Sequence, residues 1–245
     1  KAPLEYEIQY RTGLNYSDAV KSDLRKRPNV PTNHYSQTKC LPGYYGAINS
    51  IDASFGKLEE YLASTPDPRY PDKMLKETSI MVYTSDHGEM MGSHGRMVKR
   101  IFFEESIGVP LIIRWPEHIQ KNTEINKVFN SVDLVPTLLG LMDLNFTNQV
   151  DGKDWSASLL NATENNTEYA FIAYKNWKSI RTETELLTIE FDENLIVQNT
   201  KYFNLKDDPF QMNPISKRSI ARLSELKRLL KEYLKQAENM QIKFK

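Results

Sequence analysis

The stretch Ser79-Ile80-Met81-Val82-Tyr83-Thr84-Ser85-Asp86-His87-Gly88-Glu89 decides how the chain is read. From Ile80 to Tyr83 the residues are β-branched, aromatic or large and apolar, and none is charged. Such a run suits a strand buried on both faces, as in a parallel α/β sheet. Gly88 then permits a sharp turn, so Asp86 and His87 fall just past the carboxyl end of the strand. Ligands of open α/β sheets bind in the crevice outside those ends. A carboxylate beside an imidazole offers an oxygen and a nitrogen to a divalent metal. Two adjacent ligands do not complete a site, so the others come from elsewhere in the fold. Taken alone, Asp-His-Gly reads more simply as a turn that hydrogen-bonds its own backbone.

The longer context shifts that balance. Tyr83-Thr-Ser-Asp-His-Gly-Glu-Met-Met-Gly-Ser-His-Gly95 is followed by Lys99, by Phe102-Phe-Glu-Glu-Ser-Ile107, and by Val109-Pro-Leu-Ile-Ile-Arg-Trp-Pro116. About thirty positions in this order resemble the sulfatase family of the alkaline-phosphatase-like superfamily. There a strand ends in Ser-Asp-His-Gly or Ser-Asp-Asn-Gly. A Gly-x-His-Gly turn, a lysine and an aromatic-Glu-Glu-Ser run then lead into Val-Pro-Leu-Ile-Ile. Gly108 departs from the pattern, since many members carry Arg there, but that position has no assigned chemistry.

Composition agrees with a globular protein and narrows the partners. The chain has 245 residues, 40% hydrophobic and 26% charged, as in ordinary soluble domains. Lys plus Arg and Asp plus Glu are 32 each, so formal charge is zero and no nucleic-acid partner is expected. No apolar run approaches the roughly 20 residues that span a bilayer, so no membrane span is expected. Cys40 is the single cysteine, which precludes an intrachain disulfide. Asn15, Asn145, Asn161 and Asn165 head N-glycosylation sequons, which matter only on a eukaryotic secretory route. The polar opening Lys1-Ala-Pro-Leu-Glu-Tyr6 reads as the interior of a longer sequence, so a fragment or mature piece is expected.

Along the chain, residues 1 to about 42 show little periodicity and are punctuated by Pro28, Pro31 and Pro42, which predicts mostly ordered loop with one short helix near 17–25. Tyr44, Ala47, Ile48, Ile51, Phe55, Leu58 and Leu62 recur at helical spacing and predict an amphipathic helix over 44–62. Val109 to Trp115 predicts a second buried strand ended by Pro116. Asp133 is placed as the N-cap of a short apolar helix with Pro136 in its first turn, in preference to a metal ligand. Residues 169–174, 178–182, 186–191 and 201–204 predict an antiparallel sheet, and 215–243 a helix with Ile220, Leu223, Leu226, Leu229, Leu230 and Leu234 on one side.

The resemblance extends over roughly residues 44 to 243 once Val150-Asp-Gly and Phe203-Asn-Leu-Lys-Asp-Asp-Pro-Phe-Gln-Met-Asn213 are included. It implies an α/β fold with an alkaline-phosphatase-like mixed sheet flanked by helices, and a small antiparallel α+β subdomain. The expected division is 1–145, the carboxyl-terminal part of the catalytic domain, and 146–245, the subdomain. It implies Asp86 and His87 as ligands of Ca2+ or another divalent cation, and Lys99 as the ammonium aimed at the sulfate group, stabilising developing charge. His94 either orients the loop or touches substrate. A formylglycine nucleophile belongs to the family's Cys-x-Pro-x-Arg or Ser-x-Pro-x-Arg motif. Cys40-Leu-Pro lacks the arginine and precedes the predicted helix, so Cys40 is rejected and the nucleophile is expected in a missing amino-terminal half. The implied function is a sulfuric ester hydrolase acting on a sulfated small molecule or glycan. A phosphodiester or phosphonate monoester hydrolase, or a non-catalytic binding half, is the alternative. The family favours a secreted, periplasmic or lysosomal setting.

Overall fold

The computed structural model describes residues 37–91, 93–96, 98–144, 151–161, 168–194, 196–215 and 220–243. The helix expected near 17–25 lies outside them. The fold is α/β, and it divides into two compact units, Lys1–Lys121 and Asn122–Lys245.

In the first unit helix α1 spans Gln37–Ser64. It begins seven residues before the expected start. Strands β1 (Pro66–Asp67) and β2 (Tyr70–Met74) form a small antiparallel ladder, and α2 covers Leu75–Thr78. Buried Asp67 holds this corner together: Arg69 bonds both of its oxygens and the Thr78 hydroxyl donates to Oδ2. Arg69 and Thr78 thereby keep the Asp67 carboxyl well below the usual carboxylate range, against the opposing effect of burial.

Among the described residues, strand β3 (Met81–Thr84) pairs only with β4 (Leu111–Arg114), in the register Tyr83↔Ile112 and Thr84↔Leu111. The expectation of strands buried on both faces in a parallel sheet is corrected here: the pair is antiparallel and one face is open. Tyr83 is 36% exposed and Ile112 60%, on the same face of the ladder. The apolar run was a sound strand signal. Burial, however, depends on neighbours that no local pattern encodes, and among the described residues only Phe55 of α1 is recorded in ring contact with Tyr83, edge-on at 5.9 Å. Between the strands lies the one-turn helix α3, Glu104–Ile107.

The second unit is built around a meander of β5 (Tyr169–Tyr174), β6 (Trp177–Thr182), β7 (Glu185–Phe191) and β8 (Val197–Asn204), all antiparallel. Two-residue turns join β5 to β6 and β6 to β7, which pins the register. Ile180, Leu187 and Tyr202 stand in line across three strands and meet Leu226 and Leu230 of helix α6, Ile220–Lys243. Each of the two leucines is essentially inaccessible, and burying such a side chain stabilises by about 2 kcal/mol. Buried Glu185 locks the helix to the sheet: Tyr202 donates to Oε1, while Arg222 reaches Oε2 with Nε at 2.8 Å and Nη2 at 2.6 Å.

Helices α4 (Leu134–Leu141) and α5 (Ser156–Asn161) complete this unit. Asp133 corrects a second expectation. Its side chain makes no cap bond to α4. It is buried, and accepts from the backbone N–H of Asn130 (2.9 Å) and Lys153 (2.9 Å) and from the Trp155 indole (3.1 Å). A carboxylate with three donors is an internal strut. It ties 130–133 to 153–155, so the segment after residue 121 belongs with the second unit, whereas composition shifts only near 145.

Candidate active-site loop

The chain leaving β3 turns at Ser85 through Gly88. The Ser85 hydroxyl donates to the His87 carbonyl (3.0 Å) and lies 3.3 Å from Asp86 Oδ1, which also accepts the His87 backbone N–H at 3.0 Å. The self-bonded turn that the tripeptide suggests is therefore present. It occupies one side of the Asp86 carboxylate only, and 81% of that side chain still faces solvent. Partial loss of water works to raise the Asp86 carboxyl, but the neighbouring His87 ring, the backbone N–H groups and Ser85 outweigh it and set it below its ordinary value.

The His87 ring is oriented by its own backbone. Nδ1 lies 2.8 Å from the Gly88 carbonyl oxygen. A carbonyl only accepts, so Nδ1 carries the hydrogen and, in the neutral ring, Nε2 presents a lone pair. That nitrogen stands 3.2 Å from Asp86 Oδ2. Two lone pairs at that separation repel unless a proton or a cation lies between them. A fixed Nδ1 with Nε2 turned toward a carboxylate is the arrangement in which a backbone carbonyl orients a metal-ligating imidazole. The residues present thus fit a divalent cation as part of its ligand set. Among the described residues, no third His, Cys, Asp or Glu gathers with them.

Gly88 is required by close approach. A Cβ there would lie 1.9 Å from the Glu105 carbonyl oxygen, and the Gly88 N–H donates to the Ser106 carbonyl at 3.0 Å. The site loop therefore rests directly on α3. The Met90 N–H then bonds the Val98 carbonyl at 2.8 Å, folding the chain back beside Met90 one residue before Lys99. Met91, His94, Val98 and Arg100 all adopt left-handed φ, between 42° and 75°. Four such residues in ten are a concentration of strain that surrounding structure must hold in place. His94 lies flat on Phe103, with ring centroids 3.6 Å apart and planes 4° from parallel.

The structure thus brings Asp86 and His87 into contact, places half-buried Lys99 on the returning arm of the same loop, and seats His94 against α3. Phe103, Glu105 and Ser106 are site-loop partners to which sequence reasoning assigned no role. The signal was the aromatic-Glu-Glu-Ser run itself, but a one-turn helix leaves too little periodicity to show which side chains turn inward. Asp207-Asp208, the only adjacent Asp pair, is structural: Asp208 accepts the Met212 and Asn213 N–H groups at 3.0 and 2.8 Å.

Comparison with known proteins converges on one family. Residues 13–144 match the sulfatase family model, and residues 92–240 match that of the N-sulphoglucosamine sulphohydrolase C-terminal domain. An N-acetylglucosamine-6-O-sulfatase of Bacteroides thetaiotaomicron is 27% identical over 248 aligned positions, spanning 94% of this chain and 42% of the relative. Among solved structures, one in complex with its substrate D-glucosamine-2-N,6-O-disulfate is 26% identical with TM-score 0.64, over 78% of this chain and 40% of that one. A sulfatase-like structure from Bacteroides fragilis reaches TM-score 0.70 at 25% identity, over 88% and 47%. The chain spans about two-fifths of the curated relative's length.

Proposed function

The chain belongs to the sulfatase family, and from that premise we propose that its protein hydrolyses a sulfate ester on a sulfated saccharide, with Asp86 and His87 as ligands of a divalent cation and Lys99 as the sulfate-binding ammonium. The observation that carries this reading is the doublet after β3: an oriented imidazole whose Nε2 faces a largely free carboxylate oxygen at 3.2 Å. A divalent cation held there supplies Lewis-acid stabilisation of the negative charge that develops as the S–O bond breaks. Calcium favours oxygen-rich sets of six to eight ligands, so the doublet is one portion of that set.

The chain's own residues divide the remaining work. The Gly88 carbonyl fixes the His87 tautomer, and the Ser85 hydroxyl and His87 N–H keep Asp86 ionised and in place. Lys99 brings three hydrogen-bond donors and a positive charge to the equatorial oxygens of the sulfate, where charge accumulates in the transition state. The formylglycine nucleophile expected of the family belongs to an amino-terminal segment outside the motifs of this chain. The saccharide assignment is supported by the substrate bound to one structural neighbour, a glucosamine disulfate, and by the name of the N-acetylglucosamine-6-O-sulfatase relative.

The test is turnover by the natural full-length protein of p-nitrophenyl sulfate against an aryl phosphodiester, followed by a glucosamine 6-sulfate. Preference for the sulfate ester, lost on chelation and in Asp86→Asn, is the expected result. Faster turnover of the phosphodiester would overturn the reading.

A further inference from the structure

The chemistry above assigns nothing to the Phe-Phe-Glu-Glu-Ser run, yet two nearly buried ionisable side chains meet there. The side chains of Glu105 and His94 are 9% and 11% exposed, and His94 Nε2 lies 4.0 Å from Glu105 Oε2. The His94 ring is stacked on Phe103, and its backbone sits at φ 53°, which a non-glycine residue holds only where its surroundings enforce it. Five residues on, Lys99 stands between Val98 and Arg100, with φ 67° and 75°. The Val98 carbonyl is tied to Met90, and the Ile101 N–H reaches the Ser106 hydroxyl at 3.5 Å. Lys99 is thus carried on a segment tethered on both sides, and the carboxyl-side tether is α3.

The same short helix grips the other arm of the loop, but by different atoms. Gly88 is seated on the Glu105 and Ser106 carbonyls, which a side-chain change at 105 leaves in place. On the returning arm His94 stacks on the Phe103 ring, and its Nε2 comes within 4.0 Å of Glu105 Oε2, an approach longer than a hydrogen bond.

We propose that Glu105 is a positioning residue: by holding His94 against Phe103 it fixes the arm that aims Lys99, without itself touching the sulfate ester. His94 then orients the loop and does not contact substrate. This rests on the reading of Asp86, His87 and Lys99 as the sulfate site. It differs from a general structural role in one respect: loss of the Glu105 charge disturbs the lysine arm and spares the cation arm.

The experiment is a double-mutant cycle in the natural full-length protein, with p-nitrophenyl sulfate turnover and Ca2+ affinity by calorimetry as paired readouts. E105Q is expected to lower kcat/KM about tenfold, in line with slight misplacement of a charge-stabilising group, with Ca2+ affinity unchanged. In a K99A background E105Q is expected to add nothing further, because coupled residues are non-additive. H94Q, which breaks the same contact from the other side, is expected to give the same pattern and decides the matter should E105Q fail to fold. Unchanged kinetics in E105Q, an undiminished effect in the K99A background, or a parallel fall in Ca2+ affinity would each overturn the positioning role. If K99A itself leaves turnover intact, the assignment of Lys99 falls, and this proposal with it. An impaired K99A with an additive E105Q removes this proposal alone.

Discussion

In the unit from Asn122 onward, Ile180, Leu187, Ile189, Tyr202, Leu226 and Leu230 are buried between one face of a four-stranded sheet and a long helix. In the unit that ends at Lys121, α1 holds Ile48, Ile51, Leu58 and Tyr61 between 43% and 59% exposed, and β4 holds Ile112 at 60%. The amphipathic patterning is equally clear in both. What differs is whether the partner surface is contained in the same stretch of chain. Residues 169 to 234 supply a sheet and its covering helix in sequence order, with two-residue turns enforcing the pairing. The β3–β4 pair and α1 leave apolar side chains such as Ile51, Tyr61 and Ile112 more than half exposed. The proposed cation and sulfate ligands lie in the open unit, and the sheet-and-helix cluster lies in the closed one.

That contrast yields a graded set of tests. Asp86→Ala, in the open unit, is expected to reduce sulfate-ester turnover about a thousandfold, the loss of several kcal/mol of charge stabilisation, with the unfolding of the closed unit unchanged by hydrogen exchange of the β6 and β7 amides. A coupled shift in that unfolding would show that chemistry and stability are not separated. Leu226→Ala should destabilise the closed unit by about 2–5 kcal/mol, the cost of a cavity in a fully packed core, as read by urea titration. Gly88→Ala is expected to destabilise the open unit by about 1–3 kcal/mol, since its methyl meets the Glu105 carbonyl and the backbone must give. Ile112→Thr should change stability by no more than about 0.5 kcal/mol, because the side chain is already in water. A large loss there would mean the face is covered in solution.

Acid sharpens the comparison further. Asp67 binds a proton less readily folded than unfolded, because Arg69 and Thr78 bond its ionised form. Its contribution is therefore complete above the unfolded carboxylate value of about 3.9, and is lost as pH falls through the folded value. Glu117, bonded by Lys73, is lowered in the same sense within the same unit. The open unit should loosen first as pH drops below about 4, and Asp67→Asn should flatten that dependence in a circular-dichroism titration.

Much of this was legible beforehand. The four strands of the meander, the terminal helix and the doublet after β3 all follow from patterns whose cause is local: period-two alternation, period-3.6 stripes, and a glycine at a turn. The misreadings share an opposite cause. Asp133 looks like a cap because it precedes an apolar helix, and only the arrival of Lys153 and Trp155 from twenty residues on converts it into a strut. β3 looks doubly buried because its residues are apolar, yet burial is a property of what lies across from them.

The sequence by itself determined the long helix α1, the strands β3 and β4, the meander and the terminal helix, and that a carboxylate and an imidazole follow a strand end, since those depend on neighbours within a few residues; the β1–β2 ladder, in a stretch that reads as a connecting loop, was not legible. Only the tertiary structure decided that Gly88 rests on the Glu105 carbonyl, that His94 stacks on Phe103, and that His87 Nε2 turns toward Asp86. The third follows from the Nδ1 bond to the Gly88 carbonyl, and the first two are contacts set by how a loop folds back onto a one-turn helix. Steric fit at a separation of nine to seventeen residues leaves no period in the chain to read.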